Sequence, residues 1–422
     1  MRMPLSYVFV LLLLPLWTGC SLEEADPKQL TEVRSKLEQG MPVKIVCFGD
    51  SVTGLYYHTG GRRAYTDLLQ LALRRSFPEA SVTAINAGIS GNDTRDALAR
   101  ISEDVLSQKP DLVTVMFGLN DMTKVPLDEF KTNLIEIIKR CRASGAEVLL
   151  STPNNVITTP RRPIEKLIQY CEVIRQVSRE QKVALADCYA ALEEIQERDY
   201  REWRLFLSDE IHPNLEGHKR IAELLAGAVS RSLVDLDDVG PSQPAIPHTL
   251  ELIFQRAPLK ILAMTPTDEW LRAPLDRVDP APPVEIIPWT TEGKSIRELE
   301  EDAKARVRQL EPDLVVVAIP RGARAASEEE FIRSFTWTLN WSLSFGTQEW
   351  DCIVVHPDVV DPQGGDSDRD ELIRRLVRAQ DLTLVDREDS DADPAEILLG
   401  WLEAQNKGAR ESANLNGWSR VE

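Results

Sequence analysis

Positive charge is scarce in this chain: 49 Lys and Arg face 68 Asp and Glu, a formal net charge of -19 over 422 residues. A polyanion would be repelled over most of such a surface, so nucleic acid is excluded as a partner. Cysteine is sparse as well, six in all, and Cys20, Cys47, Cys141, Cys171, Cys188 and Cys352 show no metal-ligand spacing. Apart from Cys20 and Cys188 they lie inside apolar strand or helix patterns, where a thiol acts as a small buried hydrophobe. Histidine is rarer still, five residues with none after His356, which restricts where a proton acceptor can stand. Apolar runs long enough to span a membrane as a helix are missing too. What remains is a chain with 43% apolar residues, enough to bury more than one core, and a length that suits two or three domains.

The first twenty residues, MRMPLSYVFVLLLLPLWTGC, join a basic start to an apolar stretch from about Tyr7 to Leu16, with the small residues Thr18 and Gly19 before Cys20. The stretch is too short to cross a bilayer and fits a secretory signal. Its end resembles the lipobox of bacterial lipoproteins, with Trp17 where that motif usually has Leu. The resemblance implies a signal over residues 1–20, lipidation of Cys20, and an exported protein on the periplasmic or cell-surface side, touching a membrane only through that anchor. An ordinary secretory signal is the alternative.

Residues 21–42 read as a polar stem and a short amphipathic helix with Leu30, Val33 and Leu37 on one face. Over 43–233 the apolar runs VKIVCF (43–48), SVTAIN (81–86), DLVTVMF (111–117), AEVLLS (146–151) and KVALAD (182–187) alternate with helical patterns. In one of these, Phe130, Leu134, Ile137, Ile138 and Cys141 share a stripe. Near-continuous apolar strands between amphipathic helices predict an α/β unit with a parallel sheet covered on both faces. A linker is expected over 234–258, opening on VDLDDVGPSQPAIP, which has no period and holds three prolines. Over 259–405 the alternation resumes with KILAM (260–264), DLVVVAI (313–319), CIVVH (352–356) and LTLVD (382–386), and 406–422 reads as a loose polar tail. PDLVTVMFGLND at 110–121 and PDLVVVAIPRGA at 312–323 hold matching places, which points to a duplicated unit. The general likeness of buried parallel strands is the alternative.

Ligands of an open parallel sheet bind beyond the carboxyl ends of its strands. There the first unit places Gly49-Asp50-Ser51, the loop AGISGNDT with Gly91, Gly118-Leu119-Asn120-Asp121, and DEIHPN with Asp209 and His212. A serine hydroxyl attacks only when a base takes its proton, and a tetrahedral intermediate needs donors aimed at its oxyanion. His212 could be the base and Asp209 the group that orients it. The Ser51 and Gly91 N–H groups and the Asn120 amide are available as donors. His218, one turn into the next helix, reads as structural. Tyr57, His58 and Arg62, with Tyr56 and Arg63, could line a pocket beside Ser51 or form a plain surface loop.

These residues resemble the SGNH, or GDSL-type, family of serine hydrolases: Ser51 in GDS, Gly91 in SGNDT, Asn120 in GLND, and Asp209 with His212 in DEIHPN, in the family's order over residues 43–233. Val52 stands where the eponymous tetrapeptide has Leu. The resemblance implies a flavodoxin-like three-layer sandwich. It also implies Ser51 as nucleophile, Gly91 and Asn120 as oxyanion donors with the Ser51 amide, Asp209 and His212 as acid and base, and no metal or organic cofactor. The second unit has MTPTDEW where the first has GDS, and PRGA where it has GLND. It is expected to have kept the fold and lost the reaction. Seven of nine tryptophans fall in this half, among them Trp337 and Trp341 one helical turn apart. Their faces could hold sugar rings or pack in a core or against the first unit.

The expected activity is hydrolysis of carboxylic esters, on a small molecule or on O-acetyl groups of a glycan. A lipase, lysophospholipase or thioesterase of the same fold is an alternative, and a non-catalytic glycan-binding surface lipoprotein is the alternative from another class.

Overall fold

A computed structural model describes residues 29–415 except 278–280, 345–348, 364, 366 and 388–390. The expected signal and Cys20 lie outside the described residues, as does most of the expected stem. Among the described residues no helix is long and apolar enough to cross a membrane.

Among the described residues ten strands form two parallel sheets. In the first, β1 (Val43–Gly49), β2 (Val82–Gly88), β3 (Leu112–Met116), β4 (Glu147–Ser151) and β5 (Ala184–Ala186) take the order β2-β1-β3-β4-β5. In the second, β6 (Leu259–Met264), β7 (Val284–Trp289), β8 (Leu314–Val317), β9 (Asp351–Val355) and β10 (Leu384–Val385) repeat it as β10-β9-β8-β6-β7. This is the flavodoxin-like arrangement. The strands are apolar on both sides because helices cover both faces; β3 is buried at every residue. The helix Leu127–Ala143 turns its stripe of Phe130, Leu134, Ile137, Ile138 and Cys141 inward as its spacing predicts. Each sheet has its own apolar core. The five described cysteines, Cys188 included, are buried and unpaired.

The likeness of the two units extends to individual hydrogen bonds. Lys44 N–H donates to Asp111 Oδ2 at 2.7 Å and Lys44 Nζ to Gln108 O at 2.9 Å; Lys260 N–H donates to Asp313 Oδ2 at 2.7 Å and Lys260 Nζ to Leu310 O at 3.1 Å. Arg175 grips Asp187 through Nε at 2.6 Å, and Arg374 grips Asp386 through Nε at 2.7 Å. Before each first strand lies a helix, Thr31–Glu38 and Pro247–Gln255, from which a backbone N–H reaches the acidic residue that opens the fourth strand: Val33 to Glu147 and Thr249 to Asp351.

Three sequence expectations are corrected here. The strand β7 escaped notice because it is a half-exposed edge strand carrying Pro288, a residue that only an edge tolerates. The linker is shorter than 234–258, since Pro247 starts a helix at its first position, where the missing N–H costs nothing. The tail is not loose from 406, because the helix Pro394–Leu415 runs on through it.

The units are tied closely. Arg63 donates to both oxygens of Asp381, which also accepts from the Ser242 N–H and hydroxyl. Arg204, itself buried, pairs with Glu329 at 2.8 Å.

Candidate active site

The turn after β1 explains the hydroxyl at position 51. Asp50 O accepts from Thr53 and Gly54 N–H at 3.2 and 3.0 Å, and Asp50 Oδ1 from Val52 N–H at 2.9 Å, so the chain doubles back at once. Gly49 sits beneath this turn, where an added Cβ would lie 2.0 Å from Thr53 Oγ1 and 2.9 Å from Met116 O. No side chain fits, and Ser51 is left at the apex with its Oγ 2.8 Å from His212 Nε2.

His212 comes from the loop between the helices Tyr200–Arg204 and Leu215–Ser230, pinned by Ser208 N–H on His212 O at 2.8 Å. Asp209 in this loop accepts four hydrogen bonds: Oδ1 from the Ile211 and His212 N–H groups at 2.8 Å each, Oδ2 from His212 Nδ1 at 2.7 Å and Tyr57 Oη at 2.7 Å. Burial alone would push this carboxyl up; the charge and hydrogen bond of His212, with the two backbone donors, hold it well below the usual carboxylate range. Asp209 is therefore ionised and acceptor-only, so Nδ1 carries the proton and Nε2 presents a lone pair to Ser51.

Three further loops complete the crevice. The loop after β2 is anchored by Ile89 N–H on Gly49 O at 3.2 Å and Ser90 N–H on Tyr56 Oη at 2.8 Å. Gly91 within it has φ +77°, a backbone shape that side chains disfavour, and nothing stands within 4 Å of where its Cβ would be. Asn120, after β3, donates through Nδ2 to Asn92 O at 3.0 Å, while Arg162 Nη2 donates to its Oδ1 at 3.0 Å and fixes the amide's direction. Neither the Ser51 nor the Gly91 N–H has an acceptor among the described residues. The loop after β4 supplies Arg162 and also Asn154, whose Nδ2 donates to Ile211 O at 2.9 Å.

Of the residues expected beside Ser51, His58 and Tyr57 are there. His58 lies flat against His212, ring centroids 4.4 Å apart and planes 6° from parallel. Burial first, then the neighbouring His212 and His218, push its imidazole well below the ordinary value, so it is neutral and donates Nε2–H to Ser51 O at 3.0 Å. Tyr57 is the donor to Asp209 already described. Arg62 and Arg63 are corrections: both turn away from Ser51, Arg62 donating to Asp381 O and Ala245 O and Arg63 to the Asp381 carboxylate. Those carbonyls need a donor once the two units close together, and an arginine beside a tight turn reaches them. His218 is buried and accepts from Tyr65 N–H, in line with a structural role. Sequence reading missed Arg162, although the segment STPNNVITTPRRP follows a strand on the same edge and could have been read like the other loops.

Burial pushes the carboxyls of Asp50 and Asp121 up to about 6, against backbone or hydroxyl donors that pull them down. A carboxyl raised on folding keeps a proton that the unfolded chain releases from about pH 4. Its stabilising contribution is full below that point and declines as pH rises to about 6. Asp50→Asn should remove its share of that decline, on the order of 2–3 kcal/mol. Calorimetric Tm values between pH 4 and 7 that fall as steeply as in the parent chain would contradict this.

Among the described residues the second unit has no counterpart of this site. By the strand register, Thr267 holds the place of Ser51, but it is buried within a helix start and donates to Met264 O. Gly293 matches Gly91 and even shares its positive φ, +73°, whereas Gly322 replaces Asn120. Elsewhere His356, Asp358 and Asp386 lie close enough to hold a cation, yet Arg321 and Arg374 already neutralise these carboxylates.

This fold and crevice define a flavodoxin-like α/β domain with a serine, a histidine and an aspartate joined at one sheet edge. Residues 47–220 match the profile of the GDSL-like Lipase/Acylhydrolase family, and the first unit is an ester-hydrolysing domain of that family. The chain is similar to an acetylxylan esterase of Geobacillus stearothermophilus, 29% identical over 205 residues, covering 43% of this chain and 92% of the relative. It is also similar to an arylesterase of Vibrio mimicus, 27% identical over 191 residues, covering 45% and 90%. Among solved structures, the Geobacillus stearothermophilus acetylxylan esterase is 28% identical with a TM-score of 0.40, over 44% of this chain and 94% of that one.

Proposed function

We propose that the chain hydrolyses carboxylic esters through an acyl-serine, with O-acetyl groups on a carbohydrate as its substrate class. Ser51 Oγ attacks the ester carbonyl as His212 Nε2 takes its proton. The oxyanion that forms is received by the Ser51 and Gly91 N–H groups and Asn120 Nδ2. Collapse breaks the bond to the alcohol, which leaves with the proton from His212. Water then attacks the acyl-serine with His212 again as base, releasing the acid and restoring Ser51. Asp209 remains a carboxylate throughout and stabilises the imidazolium.

The observation that carries this reading is the relay of 2.8 Å from Ser51 to His212 and 2.7 Å from His212 to Asp209, beside two N–H groups with no acceptor among the described residues. The similarity to an acetylxylan esterase over 92% of its length favours acetyl as the acyl group. A fluorophosphonate probe should label the parent chain and not Ser51→Ala. In a panel of p-nitrophenyl esters from acetate to palmitate, run beside acetylated xylan and pectin, acetyl substrates should give the highest kcat/KM. A maximum at long chains would transfer the assignment to a lipase, and folded protein that takes no label would indicate a binder.

A further inference from the structure

The catalytically silent half of the chain grips the loop that carries Asp209 and His212. Asn340, on the helix Glu328–Ser342 of the second unit, accepts from Ser208 Oγ at 2.9 Å and donates through Nδ2 to Ser208 O at 2.9 Å. Both residues are buried, and the pair of bonds is reciprocal, so the backbone immediately before Asp209 is fixed in position and direction. On the other side of Asp209, Arg333 of the same helix approaches Glu210 at 3.6 Å, an exposed and therefore weak pair. One turn from Asn340, Trp337 stacks on Tyr57 with centroids 5.9 Å apart and planes at 24°. Trp341 backs Trp337 at 5.6 Å, and Arg308 lies 4.8 Å over Trp341. The ring faces that could have served a sugar are spent on this ladder, which ends on the tyrosine whose hydroxyl donates to Asp209. The fit is close: Leu343, just past the helix, lies against Gly60, where a Cβ would meet it at 3.2 Å.

We propose that the second unit is a built-in positioning element for the acid–base pair. Asn340 sets the backbone of the Asp209 loop, and Trp337 holds Tyr57 so that its hydroxyl stays on Asp209. In its effect on turnover the proposal rests on the acyl-serine reading, so the test includes a signal independent of hydrolysis.

That signal is the low-field NMR resonance of the His212 Nδ1 proton shared with Asp209, resolvable in a full-length chain with five histidines. Asn340→Leu and Trp337→Leu should weaken it and lower kcat on p-nitrophenyl acetate by about tenfold to a hundredfold, because small displacements of reacting groups cost that much. KM should change little, since the lost interactions do not touch substrate. Trp337→Phe should restore most of both readouts, and carries the test with Trp337→Leu should Asn340→Leu not fold. Arg375→Gln, which breaks an inter-unit ion pair to Glu202 away from this loop, should leave both at the parent value. A resonance indifferent to both leucine variants overturns the proposal, as does an equal loss in Arg375→Gln. Should the resonance respond while the parent chain cleaves no ester, the positioning role stands and the enzymatic reading falls.

Discussion

Ser51→Ala is expected to lower kcat by about 10⁴ to 10⁶-fold, and Ser51→Ala with His212→Ala by no more than the single change. The hydroxyl and the imidazole share one proton transfer across 2.8 Å. Removing either ends that route, so a second removal has nothing left to subtract. What survives is the contribution of the oxyanion donors and of substrate binding. Single-turnover rates for both single variants and the double variant decide the matter. Losses that multiply would mean the two side chains act separately, which is incompatible with the assigned roles.

Asp209→Asn should cost about 10⁴-fold in kcat while leaving the fold in place. The buried carboxylate accepts from four donors. An amide can keep Oδ1 as acceptor for the two backbone N–H groups, but its nitrogen then faces His212 Nδ1 and donates to it. The imidazole proton moves to Nε2, pointing at Ser51 with a hydrogen where a lone pair is required. Tyr57 Oη, deprived of its acceptor, can turn its proton elsewhere, so stability should fall less than activity. A near-parental kcat in a folded Asp209→Asn chain would show that orientation of His212 is held by other contacts, the flat packing of His58 foremost.

Much of the first unit was legible because its chemistry is local in sequence. The segments around Ser51, Gly91 and Asn120 each follow their own strand, and the period of the strands says that those ends share one edge; the loop of His212 comes only after two helices beyond β5. Side-chain direction is another matter. Nothing in GGRRAY separates an arginine that faces Ser51 from one that reaches Asp381, since the two choices differ only in how the chain turns at Gly60 and Gly61. Trp337 and Asn340 were beyond reach for a different reason. Their spacing reveals a helix with an inward stripe, but a stripe does not say what covers it, and the partners lie over a hundred residues away. Strand β7 was hidden by its proline and half-exposed pattern. The likeness of the two units was visible in one pair of strands, whereas the matched bonds of Lys44 with Asp111 and Lys260 with Asp313 needed coordinates.

Those matched bonds lie where strands enter the sheets, at the opposite margin from the crevice. The entry margins of the two units therefore match while their exit margins differ, so loop chemistry and sheet architecture can vary independently. Anyone seeking to re-arm the second half would graft loops beyond Met264, Trp289 and Val317, add an acid–base loop after Val385, and leave the far rim alone.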